Sequence, residues 1–262
     1  ETAILRSLET DGIAVTTIQD LLGEDHRYES LVSETAALLD ARAGEIDELR
    51  LAANDDLSIG KKTFNLELFG SEFSVDSADA FLRFALNEGF LRIANAYLKM
   101  TAKLRYYNVW LTFASSGSAR ESQLWHFDRE DRCILKMFLY LDEVDQGTGP
   151  FTYAPGTHLR GKDRGVRPEF FIEGGVRRTS DAQMGAVIPE ERWIRGTGRR
   201  GTLIFADTRG YHKGGEARTK DRLMFTCMYT SPASESRDLI EFSDGFDPSE
   251  LTADQVRALG IK

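Results

Sequence analysis

The texture of the chain changes at Lys103, and that change limits the folds open to it. Residues 104–113, Leu-Arg-Tyr-Tyr-Asn-Val-Trp-Leu-Thr-Phe, are crowded with aromatic and β-branched side chains, which suit a pleated, half-buried surface. Further strands are predicted over Cys133–Leu141, Phe151–Tyr153, Trp193–Ile194, Thr202–Ala206 and Leu223–Tyr229, with turn signals such as Asp145-Gln-Gly-Thr-Gly-Pro150 between them. Before Lys103 the pattern is helical. A short helix over Ala3–Leu8 leads through Asp11-Gly12 to a strand at Ile13–Thr17. A long helix follows from about Tyr28 to Ala53, with Ala43-Gly44 a possible break, and then a short strand at Phe64–Phe69. Two more helices are expected, one capped by Ser77 and one over Phe90–Leu98. Helices first and many short strands afterwards predict a mainly β fold with flanking helices. Its core is a small antiparallel barrel or jelly roll, with an N-terminal helical buttress.

All 262 residues are expected to form one domain: mainly helical support over 1–102, a β core over 103–231 and a tail over 232–262. The tail carries a helix expected to be capped near Asp247. Residues 160–192 read as an irregular polar insertion with one short helix near Asp181–Gly185, and a loop of that length is usually functional or mobile.

The net charge of −9 argues against a nucleic-acid-binding surface. No stretch approaches the ~20 apolar residues that span a bilayer, and no signal-peptide pattern opens the chain. Cys133 and Cys227 fall inside predicted strands and read as buried thiols, so a reducing, cytoplasmic setting is expected. Charge is uneven. Residues 1–100 hold 9 Lys/Arg against 19 Asp/Glu, whereas residues 159–200 hold 10 against 6. The basic stretch is either a solvated loop or a lid that draws in an anionic substrate, with Arg160 and Arg164 as its candidate contacts.

The chemistry-bearing residues lie in the β half. In an extended segment residues i and i+2 share a face, so in His126-Phe127-Asp128 an imidazole and a carboxylate can converge while Phe127 turns away. His212 follows another apolar run, Gly201–Ala206. Two imidazoles and one carboxylate on one face of a metal, with open positions left over, form the donor set of non-haem Fe(II) sites. Arg222 opens the next strand, where Arg222, Met224, Thr226 and Met228 share one face.

Taken together, four segments resemble the phytanoyl-CoA dioxygenase-like branch of the Fe(II)/2-oxoglutarate oxygenases. They are His126-Phe-Asp128; Leu139-Tyr-Leu-Asp-Glu-Val144 with Gly149-Pro-Phe151 and Pro155-Gly-Thr-His158; Gly201-Thr-Leu-Ile-Phe-Ala-Asp-Thr-Arg-Gly-Tyr-His212; and Arg222. The family's phrase Pro-Gly-Ser-His has Thr157 in place of Ser here. The resemblance implies a double-stranded β-helix (cupin-like jelly roll) and an oxygenase using Fe(II), 2-oxoglutarate and O2. It also implies a small-molecule substrate, a metal held by His126, Asp128 and His212, and a structural His158. Asp128 favours hydroxylation over halogenation, since halogenating relatives lack this carboxylate.

2-Oxoglutarate chelates iron through its 1-carboxylate and 2-keto oxygen, and its distal carboxylate then needs a buried cation. Arg222 fits that role, because a guanidinium offers two parallel hydrogen bonds to a carboxylate; otherwise it is an exposed strand-end arginine, and Arg218, in the polar loop Lys213–Asp221, is the alternative clamp. Gln123, Asn108 and Thr112 either reach the 1-carboxylate or are ordinary strand polar residues. Trp125 either walls the pocket or packs in the core. Lys136 either snorkels to the surface or pairs with an acid in the pocket. Asp207 and Arg209 are candidate substrate contacts, and His26, in a polar helical start, is expected to be uninvolved. Two other readings stay open at this point: a cupin-like metalloenzyme that does not use 2-oxoglutarate, and a non-catalytic metal-dependent binding protein.

Overall fold

The β half builds two facing sheets, and the helical half covers the outer face of the larger one. The computed structural model describes residues 1–55, 62–70, 73–237 and 239–261. The chain opens with helix α1 (Thr2–Thr10), strand β1 (Ile13–Thr17) and helices α2 (Ile18–Leu22), α3 (His26–Ala41) and α4 (Ala43–Asp55). Strands β2 (Asn65–Glu67) and β3 (Phe73–Val75) and helices α5 (Ala80–Ala85) and α6 (Glu88–Leu98) follow. The β core runs through β4 (Lys103–Thr112), β5 (Ile134–Tyr140) and β6 (Thr152–Tyr153). The insertion holds a hairpin, β7 (Phe171–Glu173) and β8 (Val176–Arg178), and then α7 (Asp181–Gly185). Strands β9 (Ile194–Arg195), β10 (Thr202–Ala206), β11 (His212–Lys213) and β12 (Arg222–Thr230) complete the core, with β13 (Ile240–Phe242) and α8 (Ala253–Ala258) in the tail.

The larger sheet has the order β1-β10-β5-β12-β4-β2 and the smaller β11-β6-β9. Every pairing within these two sheets is antiparallel. Both faces of the large sheet are covered, so its central strands are apolar on both sides. On β5, Leu135, Met137 and Leu139 join Phe205, Phe225, Cys227 and Tyr229 in a core shared with α5 and α6 residues such as Phe84 and Phe90. Phe138 and Tyr140 face the other way, toward Phe151, Tyr153 and Met224 between the sheets. The inner face is where the polar exceptions gather. This is the mainly β jelly-roll architecture with a helical buttress that the sequence predicts.

Several local expectations need correction. The long helix breaks at Arg42, one residue before the Ala43-Gly44 signal. Helix α5 is capped by Asp79, whose side chain accepts from Leu82 N–H, and not by Ser77. Asp247 caps only a 3-10 turn, and Thr252 caps the tail helix through a reciprocal bond with Gln255. The strand expected around Cys133 begins one residue later, leaving that thiol half-buried, while Cys227 is fully buried. The β7–β8 hairpin was invisible to pattern reading because its turn, Gly174-Gly175, joins strands of only three residues each. Among the described residues no helix is long and apolar enough to cross a membrane.

Candidate metal centre

The His126 segment is not a regular strand. It is extended chain pinned on both sides by single pairings. Trp125 exchanges both backbone hydrogen bonds with Thr179 of the insertion, each 3.0 Å. His126 exchanges both with His212, at 3.0 and 2.9 Å, and Asp128 N–H donates to Thr208 O at 2.8 Å. A pair that exchanges both bonds has a fixed register, so the backbone itself sets one histidine against the other. Their ring centroids lie 4.4 Å apart.

The second nitrogen of each ring is also tied. His126 Nδ1 lies 2.8 Å from Leu124 O, and His212 Nδ1 lies 3.0 Å from Gly210 O. A carbonyl can only accept, so each Nδ1 carries the proton and each Nε2 presents a lone pair. Asp128 Oδ1 sits 4.0 Å from His126 Nε2 and 3.8 Å from His212 Nε2. One ligand atom from each residue lies within 4.8 Å of the others. Among the described residues no other cluster of His, Cys, Asp or Glu is so arranged.

Electrostatics favour the ligating forms. Burial pushes both imidazoles below their ordinary range, His126 well below it with His212 adding to the effect. Burial alone would raise the Asp128 carboxyl, but the Lys136 ammonium reverses this and, with both imidazoles, holds it below the usual carboxylate range. Lys136 Nζ lies 2.7 Å from Asp128 Oδ2, which settles the choice left open for this lysine. Two imidazoles and an ionised carboxylate, with space in front of them, suit Fe(II).

That space is a cavity of about 350 Å³. Arg222 lines it from the start of β12, only 5 % exposed. Its Nη2 donates to Thr112 Oγ1 at 3.2 Å, while Nε and Nη1 are buried without a partner among the described residues. Burial lowers the pKa of this guanidinium, yet an arginine stays charged. A buried, half-satisfied cation facing a cavity is a site for an anion. Gln123, Asn108 and Thr112 line the same cavity, with their polar atoms partly engaged. Thr112 donates to Asn65 Oδ1, Asn108 bridges Phe69 N and Gly70 O, and Gln123 Oε1 accepts from Arg120 N–H.

The remaining candidates lie outside this cavity. Trp125 turns to the opposite face of its segment, where it is fully buried, donates to Asp181 Oδ1 at 2.7 Å and packs on Trp193. Asp207 accepts from Tyr97 Oη at 2.6 Å and holds the turn before His212. Arg209 donates to the Asp128 carbonyl at 2.6 Å. Arg160 lies over the Tyr97 ring at 4.0 Å and donates to that residue's carbonyl. Arg164 lines a separate cavity of about 190 Å³, with Phe127 and Tyr211, on the other side of residues 125–128. None of these five lines the cavity in front of the metal ligands, although Trp125, Arg164 and Arg209 share the separate cavity with His126. His158 is structural in its surroundings: Nε2 lies 3.3 Å from Glu9 O, and the ring packs beside Gly12. Arg105 and Trp110, which also line the metal cavity, were missed. Trp110 shares the even spacing of Asn108 and Thr112, which is the signal that places it on their face, whereas the odd spacing of Arg105 points to the opposite one.

The sequence model of the phytanoyl-CoA dioxygenase family (PhyH) matches residues 34–224, a span that contains all three metal-ligand candidates and Arg222. No curated protein matches the chain significantly. Among solved structures it resembles the epimerase SnoN in complex with Fe3+, alpha ketoglutarate and nogalamycin RO, at 18 % identity and a TM-score of 0.56 over 90 % of this chain and 85 % of that one. It also resembles EctD from S. alaskensis with bound Fe, at 16 % identity and a TM-score of 0.57 over 92 % and 80 %. A third likeness is to the non-heme monooxygenase ThoJ, at 17 % and 0.55 over 93 % and 85 %. These likenesses are of fold. From the match of its sequence over most of its length, the chain belongs to the phytanoyl-CoA dioxygenase family.

Proposed function

We propose that this protein is an Fe(II)- and 2-oxoglutarate-dependent oxygenase that hydroxylates an unactivated C–H bond of a small molecule. One observation carries the reading: His126 Nε2, His212 Nε2 and an oxygen of Asp128 converge within 4.8 Å of one another at the head of a cavity. SnoN was crystallised with iron and alpha ketoglutarate and EctD with iron, which supports the same pair here. When bound, ferrous iron would activate O2, the oxidant, with 2-oxoglutarate giving up two electrons and leaving as succinate and CO2, so that one oxygen atom passes to succinate and one to the substrate.

The protein's part is to bind, orient and exclude water. His126, Asp128 and His212 hold the metal, each aligned by a hydrogen bond or ion pair behind it. Arg222 receives the distal carboxylate of 2-oxoglutarate, its guanidinium being buried in the cavity wall with nitrogens that the protein leaves unpartnered. Phe138, Phe151 and Met224 give the inner wall its apolar character. The unpaired Arg222 weighs against a cupin-like enzyme that does without 2-oxoglutarate. The presence of Asp128 favours hydroxylation, because a carboxylate fills the place a halide would need. The two unpaired thiols fit a reducing, cytoplasmic setting.

The test is turnover. Iron-loaded protein should convert 2-oxoglutarate to succinate only when oxygen is present, slowly without substrate, and His212→Ala should abolish it. Metal bound one to one without any such conversion would refute the proposal.

A further inference from the structure

The pairing of β12 with β4 slips at one point: Met228 faces Tyr106, but the next residue, Tyr229, faces Leu104. Arg105 is the extra residue. A bulge of this kind redirects a side chain, and bulges concentrate beside active sites. Strict alternation would put Arg105 on the helix-covered face, opposite Tyr106. It instead lines the metal cavity and is only 9 % exposed. Its Nε is buried without a partner, and Nη1 meets only Met228 Sδ at 3.9 Å, a weak acceptor. No carboxylate among the described residues pairs with it. Burying an unneutralised guanidinium carries a large desolvation penalty, which an anion in the cavity would offset.

The position matters as much as the charge. Met228 lies opposite Lys136, and Lys136 holds Asp128, so Arg105 adjoins the strand position that carries the partner of Asp128. Arg222 opens β12 and Met228 lies six residues further along it, so the two guanidinium groups enter the cavity from different stretches of the sheet. The cavity thus has two buried guanidinium groups. Only one is needed for the distal carboxylate of 2-oxoglutarate. Phe73, Tyr107 and Leu239 line the cavity together with Arg105.

We propose that Arg105 binds an anionic group of the substrate, and that the substrate is an amphiphilic organic anion whose apolar body lies against Phe73, Tyr107 and Leu239. This rests on the oxygenase reading, which leaves Arg222 to the cosubstrate. It also moves the anion contact from the insertion arginines of the sequence reading to the bulge.

The test uses octanoate as the probe and 1-octanol as its neutral control, titrated calorimetrically into protein holding Mn(II) and saturating 2-oxoglutarate. Octanoate should bind at one site, at least tenfold tighter than 1-octanol. Arg105→Met should remove that preference while leaving 2-oxoglutarate affinity within twofold. Arg105→Lys, which keeps the charge, should restore part of it, so that a folding defect in the first variant cannot account for the loss. Octanoate binding no tighter than octanol, or unchanged in Arg105→Met, would overturn the proposal. So would a selective loss of 2-oxoglutarate in Arg105→Met, which would make Arg105 the cosubstrate's cation. Failure of the oxygenase reading itself would show separately, as absence of 2-oxoglutarate binding to the metal-loaded unsubstituted protein.

Discussion

Lys136 Nζ lies 2.7 Å from Asp128 Oδ2, while Asp128 Oδ1 is the oxygen nearest both imidazoles. One oxygen of the carboxylate is therefore committed to the protein and the other to the metal. Both partners are about nine-tenths buried, and breaking a buried pair by removing one member is costly because the other charge remains. Lys136→Met should destabilise the metal-free protein by about 3 kcal/mol in urea unfolding. Added Mn(II), by neutralising Asp128, should recover part of that loss. An unchanged unfolding midpoint would show that the pair contributes nothing.

Arg222→Met should separate stability from function. The wild-type guanidinium is buried with Nε and Nη1 unpartnered, so an apolar side chain of similar length should leave the ligand-free protein as stable or raise its stability by ~1 kcal/mol. The same change should weaken 2-oxoglutarate at least 100-fold and metal binding less than threefold. Equal losses of both ligands in calorimetry would contradict the clamp assignment.

The turn before His212 should be intolerant of bulk. Gly210 supplies the carbonyl that orients His212, and a Cβ there would collide with Tyr153 Oη and stand 3.0 Å from His158 N. Gly210→Ala should lower metal affinity at least tenfold even though it touches no ligand atom. Thr157 works from the other side: its hydroxyl donates to Ala154 O at 2.7 Å and accepts from Tyr211 N–H at 2.8 Å. Thr157→Ser should retain metal affinity, and Thr157→Val should reduce it. Equal affinities for these two variants would remove Thr157 from the account.

Stability should fall on mild acidification. His126, His158 and His212 are all held below the ordinary imidazole range, first by burial. In the unfolded chain each protonates near pH 6.5, so the unfolded state binds more protons as pH drops below that value. Stability is full above about pH 7 and is lost as pH falls through ~6.5, each imidazole contributing up to ~1.4 kcal/mol per pH unit. The Asp128 contribution, from a lowered carboxyl, is present above pH ~4 and is lost only in stronger acid. Urea midpoints of the metal-free protein at pH 7.5, 6.5 and 5.5 should decline, and His158→Gln should flatten the decline by one proton. A midpoint independent of pH over this range would contradict the buried, neutral state of these rings.

The elements were legible where a period ran long enough to be read. Strand β12 alternates over nine residues, and its two faces in the structure are the two written in its sequence. The His126-x-Asp128 spacing pointed at a common centre for the same reason, although the segment is held by isolated pairings and not by a ladder. Arg105 was illegible because a bulge cancels alternation at that one position. The insertion arginines drew attention by charge density alone. Charge density says nothing of direction, and Arg160 proved to lie on Tyr97. Trp125 shows the converse: its side of the strand followed from alternation with His126, but what filled that side depended on Trp193 and Asp181, distant in sequence.

The central claim is that His126, Asp128 and His212 hold one ferrous ion to which 2-oxoglutarate chelates. Adding Fe(II) and 2-oxoglutarate under anaerobic conditions and recording the visible spectrum tests it most directly. The account predicts a weak metal-to-ligand charge-transfer band in the unsubstituted protein that disappears in His126→Ala. A protein with one equivalent of iron bound and no band at saturating 2-oxoglutarate would contradict it.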